Sequence, residues 1–322
     1  MKKVAIILCT WQGERYLAEF LDSVLAQTYQ NWKIYAADDC STDHSLEIIE
    51  HYRQQYPDKF VNLGRNKDNK GACRNFLEAL ANPAADSADY YMFADQDDVW
   101  YPEKISRSVE VMCRMESEAS AAVPLLAHCD SKVVGEDLQE IFSSYTAYLG
   151  MDQYNNKFPH LLLQNIVTGG GTIINHALRD KMLTLPEHVV MHDHWAALIA
   201  SAFGRIEYID EQLYVYRQHG DNEIGARKGG FLTEVMSRLG IGKGNDRKKA
   251  DQESGSLYRN LFLQAASFRS IFGGELDERN KRALDAFIAI PNYGRVRKIV
   301  TVLRYGIVYD RFYRTFGELL FI

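Results

Sequence analysis

The 322 residues are enough for one large domain, or for a domain with an appendage. Their hydrophobic content of 46% and charged content of 25% are ordinary for a globular protein, and no apolar run reaches the roughly 20 residues of a membrane span. The five cysteines form no CxxC pair, which argues against a disulfide framework or a zinc-thiolate site and favours a reducing cytoplasm.

The net charge of −6 is divided unevenly along the chain. Residues 227–322 carry 18 Lys/Arg against 10 Asp/Glu, whereas residues 1–226 carry 19 against 33. An acidic body followed by a basic tail suggests that the two parts have different tasks.

Short apolar runs alternate with helical patterns along the first 120 residues. Strands are predicted at residues 4–9, 32–37, 60–63 and 90–94. Helices are predicted at residues 17–25, 46–52, 71–80 and 102–117. This alternation makes βαβ units, so we expect an α/β fold with a doubly wound, mostly parallel sheet and helices on both faces.

The pattern after residue 120 is less regular. Short strands are predicted at 125–128 and 132–134, with a bend at Asp130–Ser131, and again at 208–209 and 213–216. An Ala-rich helix is predicted at 196–203. Composition turns to Gly, Lys, Arg and Ser near residue 227, which predicts a sheet domain over 1–226, a basic linker over 227–255 and a helical region over 256–322.

Polar clusters follow three of the predicted strands: Thr10–Glu14, Asp38–Asp39 and Asp95–Asp98. The carboxyl ends of parallel strands share one edge of the sheet, and ligands bind there. Clustered carboxylates at the end of a buried strand need a neutralising cation or a donor-rich ligand. The sequence therefore predicts a divalent-metal and nucleotide-diphosphate site, with an acidic surface turn as the alternative.

Taken together, these motifs resemble the inverting glycosyltransferases of family 2, which have the GT-A fold and use a nucleotide-sugar donor. The matching segments are Thr10–Glu14, Asp38–Asp43, Asn69–Asn75, Asp95–Asp98, His192–Asp193 and Gln218–His219. Trp11, Gln12, Cys40 and His192 depart from the family pattern. The D-Q-D-D-V-W, H-D-x-W and R-Q-H segments look most like bacterial rhamnosyltransferases of surface-polysaccharide synthesis.

The resemblance implies a role for each matching position. The implied donor-binding residues are Thr10, Gln12, Glu14, Asp39, Asn69 and Asp95. Asp97 and His219 would hold Mn²⁺ or Mg²⁺, and Asp193 would be the general base. For His219 and Asp193 the alternatives are a structural histidine and a helix cap. Trp100, Trp195 and Gly170 are candidate contacts for the acceptor or sugar, with core packing of the tryptophans and a simple glycine loop as alternatives.

The implied reaction moves a sugar onto a hydroxyl of a glycan or lipid-linked acceptor. The sugar would be L-rhamnose from dTDP-rhamnose, or otherwise a hexose from a UDP-hexose. A metal-dependent nucleotidyltransferase and a non-catalytic sugar- or nucleotide-binding module are the rival classes. The acidic body argues against nucleic-acid binding. The basic tail is compatible with a solvated appendage, with a peripheral contact to the cytoplasmic face of the membrane, or with a homodimer interface.

Overall fold

A computed structural model of the protein describes residues 1–219, 244–310 and 315, and it describes residues 244–257 by their backbone alone. These residues form two compact units. The first contains 1–149, 167–185 and 191–219. The second contains 150–166, 186–190, 244–310 and 315.

The strands of residues 1–219 all belong to one mixed sheet in the first unit. They are β1 (Val4–Thr10), β2 (Trp32–Asp38), β3 (Phe60–Arg65), β4 (Tyr90–Asp95), β5 (Val99–Trp100), β6 (Leu125–Val134), β7 (Glu140–Phe142), β8 (Thr172–Asn175) and β9 (Arg205–Arg217). Their order is β3-β2-β1-β4-β8-β6-β9-β5, with β7 paired to β6. The half from β3 to β4 is parallel, whereas β8 runs antiparallel to both of its neighbours.

The described helices lie around this sheet and in the second unit. They are α1 (Leu17–Leu25), α2 (Ser45–Gln55), α3 (Ala72–Leu80), α4 (Lys104–Ala119), α5 (Tyr145–Leu149), α6 (Phe158–Leu161), α7 (His176–Met182), α8 (His192–Phe203), α9 (Gly244–Phe272), α10 (Glu278–Ala289) and α11 (Arg295–Tyr305). The predicted α/β class, the strands β1 to β4 with their helices, and the C-terminal helices are confirmed. None of the described helices combines the length and apolar composition that crossing a membrane requires.

Strand β1 aligns the polar strand ends. All seven of its residues are buried, as expected for a central parallel strand covered on both faces. In the register of the sheet, Thr10 lies opposite Asp38 of β2, and Cys9 lies opposite Asp95 of β4. The predicted convergence of the three polar clusters at one edge is therefore a direct consequence of this register.

Two strands in the second half of the sheet, β6 and β9, are longer than their apolar patterns predict. β6 continues through the expected bend, and its pairing with β9 shifts register on both sides of Asp130. The buried Asp130 carboxylate accepts hydrogen bonds from the backbone N–H of Ser131 (2.9 Å) and from Ser144 Oγ (2.6 Å). These hydrogen bonds satisfy the Asp130 carboxylate inside the sheet. The strand can therefore continue through the register shift, which is a β-bulge and not a break between two strands.

The second unit corrects the predicted domain boundaries. Residues 150–166 and 186–190 pack with the C-terminal helices, so the sheet domain is not one continuous segment over 1–226. Apolar contacts explain this packing. The ring of Phe158 lies 5.3 Å from that of Phe268, in a buried contact between α6 and α9. Within the predicted linker, residues 244–255 belong to α9, and residues 227–243 lie outside the described part of the chain.

Gly204 tests the β6–β9 pairing. It ends α8, and a Cβ atom there would overlap the backbone carbonyl of Pro124, which accepts a hydrogen bond from Arg205 N (3.0 Å). We expect Gly204→Ala to lower the free energy of unfolding by about 2 kcal/mol or more, measured by urea denaturation. The control is Gly274→Ala, where a Cβ atom meets nothing within 4 Å. Equal stability of the two variants would contradict the prediction.

Candidate active site

The turn after β1 is tied to the turn after β2. Gln12 has a positive φ of 49°, which turns its side chain and backbone toward the second turn. The hydrogen bonds that carry the tie include those from Thr10 Oγ1 to Asp38 (2.9 Å), from Thr42 N to Gln12 Oε1 (2.7 Å) and from His44 N to Glu14 Oε2 (3.0 Å). Three of the predicted donor-binding residues therefore shape the rim of the site by binding the protein itself.

Asp39 organises the loop that leads into α3. Its buried carboxylate accepts hydrogen bonds from Asn66 Nδ2 (2.7 Å), Lys70 N (3.0 Å) and Gly71 N (2.8 Å). Asn69 Oδ1 accepts a second bond from Gly71 N (2.9 Å). Asp39 and Asn69, two of the predicted donor-binding residues, therefore hold the same loop.

The three carboxylates after β4 have different environments. Asp95 and Asp97 are half-buried, whereas Asp98 is 1% exposed. Neither carboxylate oxygen of Asp98 has a hydrogen-bond partner among the described residues. Burial, together with the charges of Asp95 and Asp97, raises the pKa of Asp98 well above its usual range. Such a group needs a proton or a nearby cation.

Asp97 meets His219 across 122 positions of sequence, as the motif predicts. His219 Nε2 lies 2.7 Å from Asp97 Oδ2, and the His219 ring packs 5.0 Å from that of Tyr16. Arg217 fixes the strand end: its Nε donates to the backbone carbonyl of Asp97 (3.0 Å), and Nη1 donates to that of Glu136 (2.6 Å). Sequence reasoning gave no role to this buried arginine, which holds the backbone of the predicted metal ligand Asp97 in place.

These residues fit a divalent cation that is shared with a substrate. In residues 1–219 and the described part of the tail, no group of three or more His, Cys, Asp or Glu has the arrangement of a metal site. Asp97 and His219 supply one oxygen and one nitrogen, and the unsatisfied Asp98 lies behind them. Mg²⁺ in enzymes is commonly held by one or two protein ligands, with phosphate oxygens and water completing its shell.

The Gly169–Gly171 turn lies between the carboxylate cluster and Asp193. A Cβ atom at Gly170 would lie 2.6 Å from Asp98 Oδ2 and 3.4 Å from Asp95 Oδ2. One at Gly169 would lie 3.8 Å from Asp193 Oδ2. Two adjacent glycines thus contact carboxylates that are nearly a hundred positions apart in sequence. A side chain at either position would fill the space between them.

Asp193 is in the first turn of α8, which begins four residues earlier than its apolar pattern predicts. Its side chain is buried, and Oδ1 accepts a hydrogen bond from His194 N (2.6 Å). The helix start therefore orients the carboxylate. Burial, with a smaller contribution from the charge of Asp193, raises the pKa of Tyr145 to about 12.

His192, which stands where the family has Glu, is a core residue. Its ring stacks on Phe76 at 4.1 Å and meets Phe93 edge-on at 4.6 Å. Burial lowers its pKa to about 3, so the imidazole is neutral at physiological pH. The position next to Asp193 consequently adds no charge to the site.

Lys104, the first residue of α4, lies beneath the carboxylate cluster. It is fully buried, and Nζ donates a hydrogen bond to the carbonyl oxygen of Gly170. The ammonium lies 4.1 Å from the ring centre of Trp100 and 3.9 Å from that of Tyr214. Burial lowers its pKa to about 8, while the charges of Asp98 and Asp95 act in the opposite direction. A lysine is electrostatically disfavoured in the first turn of a helix, and this unusual position is the signal by which the sequence could have singled out Lys104.

The structure places Trp100 and Trp195, the candidate sugar contacts, in the core, which is the alternative given for them. Trp100 is 2% exposed and Trp195 is 0% exposed, so both rings belong to the core. Trp11 is the open aromatic side chain of the rim, at 50% exposure. Gln96 holds its backbone by accepting from Trp11 N (2.9 Å) and donating to Trp11 O (2.8 Å), a clamp that the sequence did not reveal.

Comparisons with known proteins identify this arrangement. The family model described as Glycosyl transferase family 2 matches residues 5–179. An uncharacterized glycosyltransferase of Nostoc sp. is 30% identical over 254 residues, which are 74% of this chain and 72% of the relative. The dTDP-rhamnosyl transferase RfbG of Shigella flexneri is 26% identical over 231 residues, covering 68% of this chain and 74% of the relative.

A solved structure shares the fold. The crystal structure of Staphylococcus aureus TarS residues 1–349 in complex with UDP-GlcNAc aligns with a TM-score of 0.53 and 18% identity, over 96% of this chain and 93% of that one. The fold and the carboxylate edge define a GT-A glycosyltransferase. Because the family model covers more than half of its residues, the chain belongs to glycosyl transferase family 2.

Lys104 provides a test of the site's internal cation. Lys104→Met keeps the chain length but leaves the Gly170 carbonyl and the buried Asp98 without it, so we expect the free energy of unfolding to fall by about 2–4 kcal/mol. Arg114→Met is the control, since Arg114 lies on the same helix but is 53% exposed in a surface ion pair with Glu207. That change should cost less than about 1 kcal/mol. Similar urea midpoints for both variants would refute the assigned role of Lys104.

Proposed function

We propose that the protein transfers a sugar from a nucleoside diphosphate to an acceptor hydroxyl, with inversion at the anomeric carbon, during synthesis of a cell-surface polysaccharide. The observation that carries this proposal is the Gly169–Gly170 segment: a Cβ atom would lie 3.8 Å from Asp193 Oδ2 at Gly169, and 2.6 Å from Asp98 Oδ2 and 3.4 Å from Asp95 Oδ2 at Gly170. A base and a diphosphate site so close together match the demands of a single displacement.

Asp193 is the proposed general base. Its Oδ1 accepts a hydrogen bond from the backbone N–H of His194, which limits the rotation of the carboxylate. The carboxylate removes the proton of the acceptor hydroxyl as the hydroxyl oxygen attacks the anomeric carbon. Attack opposite to the bond that breaks inverts the anomeric centre, and the diphosphate leaves with the electrons of that bond.

The donor lies on the carboxylate side in this proposal. Asp97 and His219 would hold Mn²⁺ or Mg²⁺, which would supply positive charge to neutralise the leaving diphosphate. Asp95 contacts the ribose or the sugar. Asp39 and Asn69 keep the α3 loop in place against the nucleotide, supported by their bonds to backbone N–H groups.

The favoured donor is dTDP-L-rhamnose, and the acceptor is a glycan or a lipid-linked glycan. The support is the similarity to the dTDP-rhamnosyl transferase of Shigella flexneri over 68% of this chain, together with the D-Q-D-D-V-W and H-D-x-W segments. A UDP-hexose is the second candidate. The two donors differ in their nucleobase, so a binding test with free nucleotides separates them.

The variant Asp193→Asn tests the role of Asp193 as the general base. The amide keeps the shape of the side chain but cannot take a proton, so turnover should fall by about 10²–10⁴-fold while donor binding is retained. Nucleoside diphosphate release with a glycan acceptor measures turnover, and calorimetry measures donor binding. Asp180→Asn, a half-exposed aspartate on α7, is the control and should keep full activity. Activity of Asp193→Asn close to wild type would exclude Asp193 as the base.

Thermal unfolding with dTDP, UDP or GDP, each with and without Mn²⁺, tests the donor and the metal. A ligand that binds only the folded state raises the melting temperature. We expect a rise with dTDP that needs Mn²⁺, and we expect Asp97→Asn to remove the effect of the metal. A rise with UDP alone would replace the rhamnose donor, a metal-independent rise would contradict the metal role, and no rise with any nucleotide would contradict the transferase proposal.

A further inference from the structure

Helix α11 exposes apolar side chains along one face. Val296 is 77% exposed, Val300 is 56% exposed and Leu303 is 55% exposed. At 3.6 residues per turn these three fall within an arc of about 60°. Thr301 and Val302, on the other side of the helix, are buried. We call Val296, Val300 and Leu303 the α11 stripe.

Basic side chains border the α11 stripe on both sides. Arg297 and Arg304 lie about 80–100° from Val296 on one side, and Arg295 lies about 100° away on the other. All three arginines are exposed. The helix also contains Lys298, and no residue from Arg295 to Tyr305 is acidic. An apolar stripe between cationic margins is the pattern of a helix that lies in the plane of a membrane surface.

A second copy of the chain fits this face less well. In a symmetric dimer the same patch meets itself, so the arginines at its margins would face arginines of the other copy. Like charges opposed in this way weaken association. An anionic lipid surface complements both parts of the pattern, because its head groups attract the arginines and its acyl chains accept Val296, Val300 and Leu303.

We propose that the α11 stripe and its flanking arginines form a docking site for an anionic phospholipid surface. This contact is separate from the proposed sugar transfer and does not depend on it. It would concentrate the protein where lipid-linked acceptors are found. Since charge provides much of the attraction, binding should weaken as salt shortens the screening length from about 10 Å at 0.1 M to about 3 Å at 1 M.

Flotation of the full chain with vesicles tests the proposal. Vesicles of phosphatidylglycerol and phosphatidylcholine are compared with vesicles of phosphatidylcholine alone, and neither contains a glycolipid. We expect binding to the anionic vesicles only. Val300→Asp with Leu303→Asp should lower the ratio of bound to free protein about tenfold or more, because it places charge in the apolar stripe. Arg297→Glu with Arg304→Glu should do the same through the margins.

The matched control reverses two exposed arginines elsewhere in the second unit. Arg279→Glu with Arg282→Glu makes the same charge change on α10 and should keep vesicle binding. Absence of binding by the wild type, binding unaffected by the α11 variants, or an equal loss in the control would each overturn the proposal. If the α11 variants changed only the mass on size-exclusion chromatography, the face would be a contact between copies of the chain. Thermal melting of each variant verifies folding.

Discussion

Negative charge at the end of a buried strand is the constraint on which the rest of this structure depends. Asp98 is taken out of water without a hydrogen-bond partner in the described chain, next to two further carboxylates. Lys104 compensates from inside the protein, where two aromatic rings enclose its ammonium. In the proposed function, the open side of the cluster receives a cation and the diphosphate that it accompanies. A charge that is costly in an empty core thus becomes a binding determinant at the sheet edge.

The Gly169–Gly171 turn is the second feature that depends on the carboxylate cluster. The carbonyl of Gly170 accepts a hydrogen bond from Lys104, and a Cβ atom at this position would overlap Asp98 Oδ2. The turn is therefore fixed by the same internal cation that balances the carboxylates, and it runs from Gly169, near Asp193, to Gly170, near Asp95 and Asp98. Charge balance, backbone geometry and the position of the proposed base are linked through one lysine.

Local patterns in the sequence were sufficient for the parallel half of the sheet and for its polar edge, because continuous apolar runs and turn residues define both. They were insufficient wherever a residue's environment comes from distant parts of the chain. Lys104 contacts a carbonyl 66 positions away, and the burial of Trp100 depends on the α1 residue Phe20. In the same way, nothing local to residues 150–166 indicates that they pack with α9, since an amphipathic segment does not specify its partner.

The ties among the rim loops have an effect on binding kinetics and affinity. Gln12 and Asp39 direct their polar atoms to backbone groups of neighbouring turns, so the walls of the pocket hold one shape through bonds internal to the protein. A ligand that enters such a pocket loses its own freedom but does not have to order the loops. A nucleotide bound at this edge would therefore enter a preformed site and would not need to order the loops around it. The rate of association should be limited mainly by diffusion and orientation.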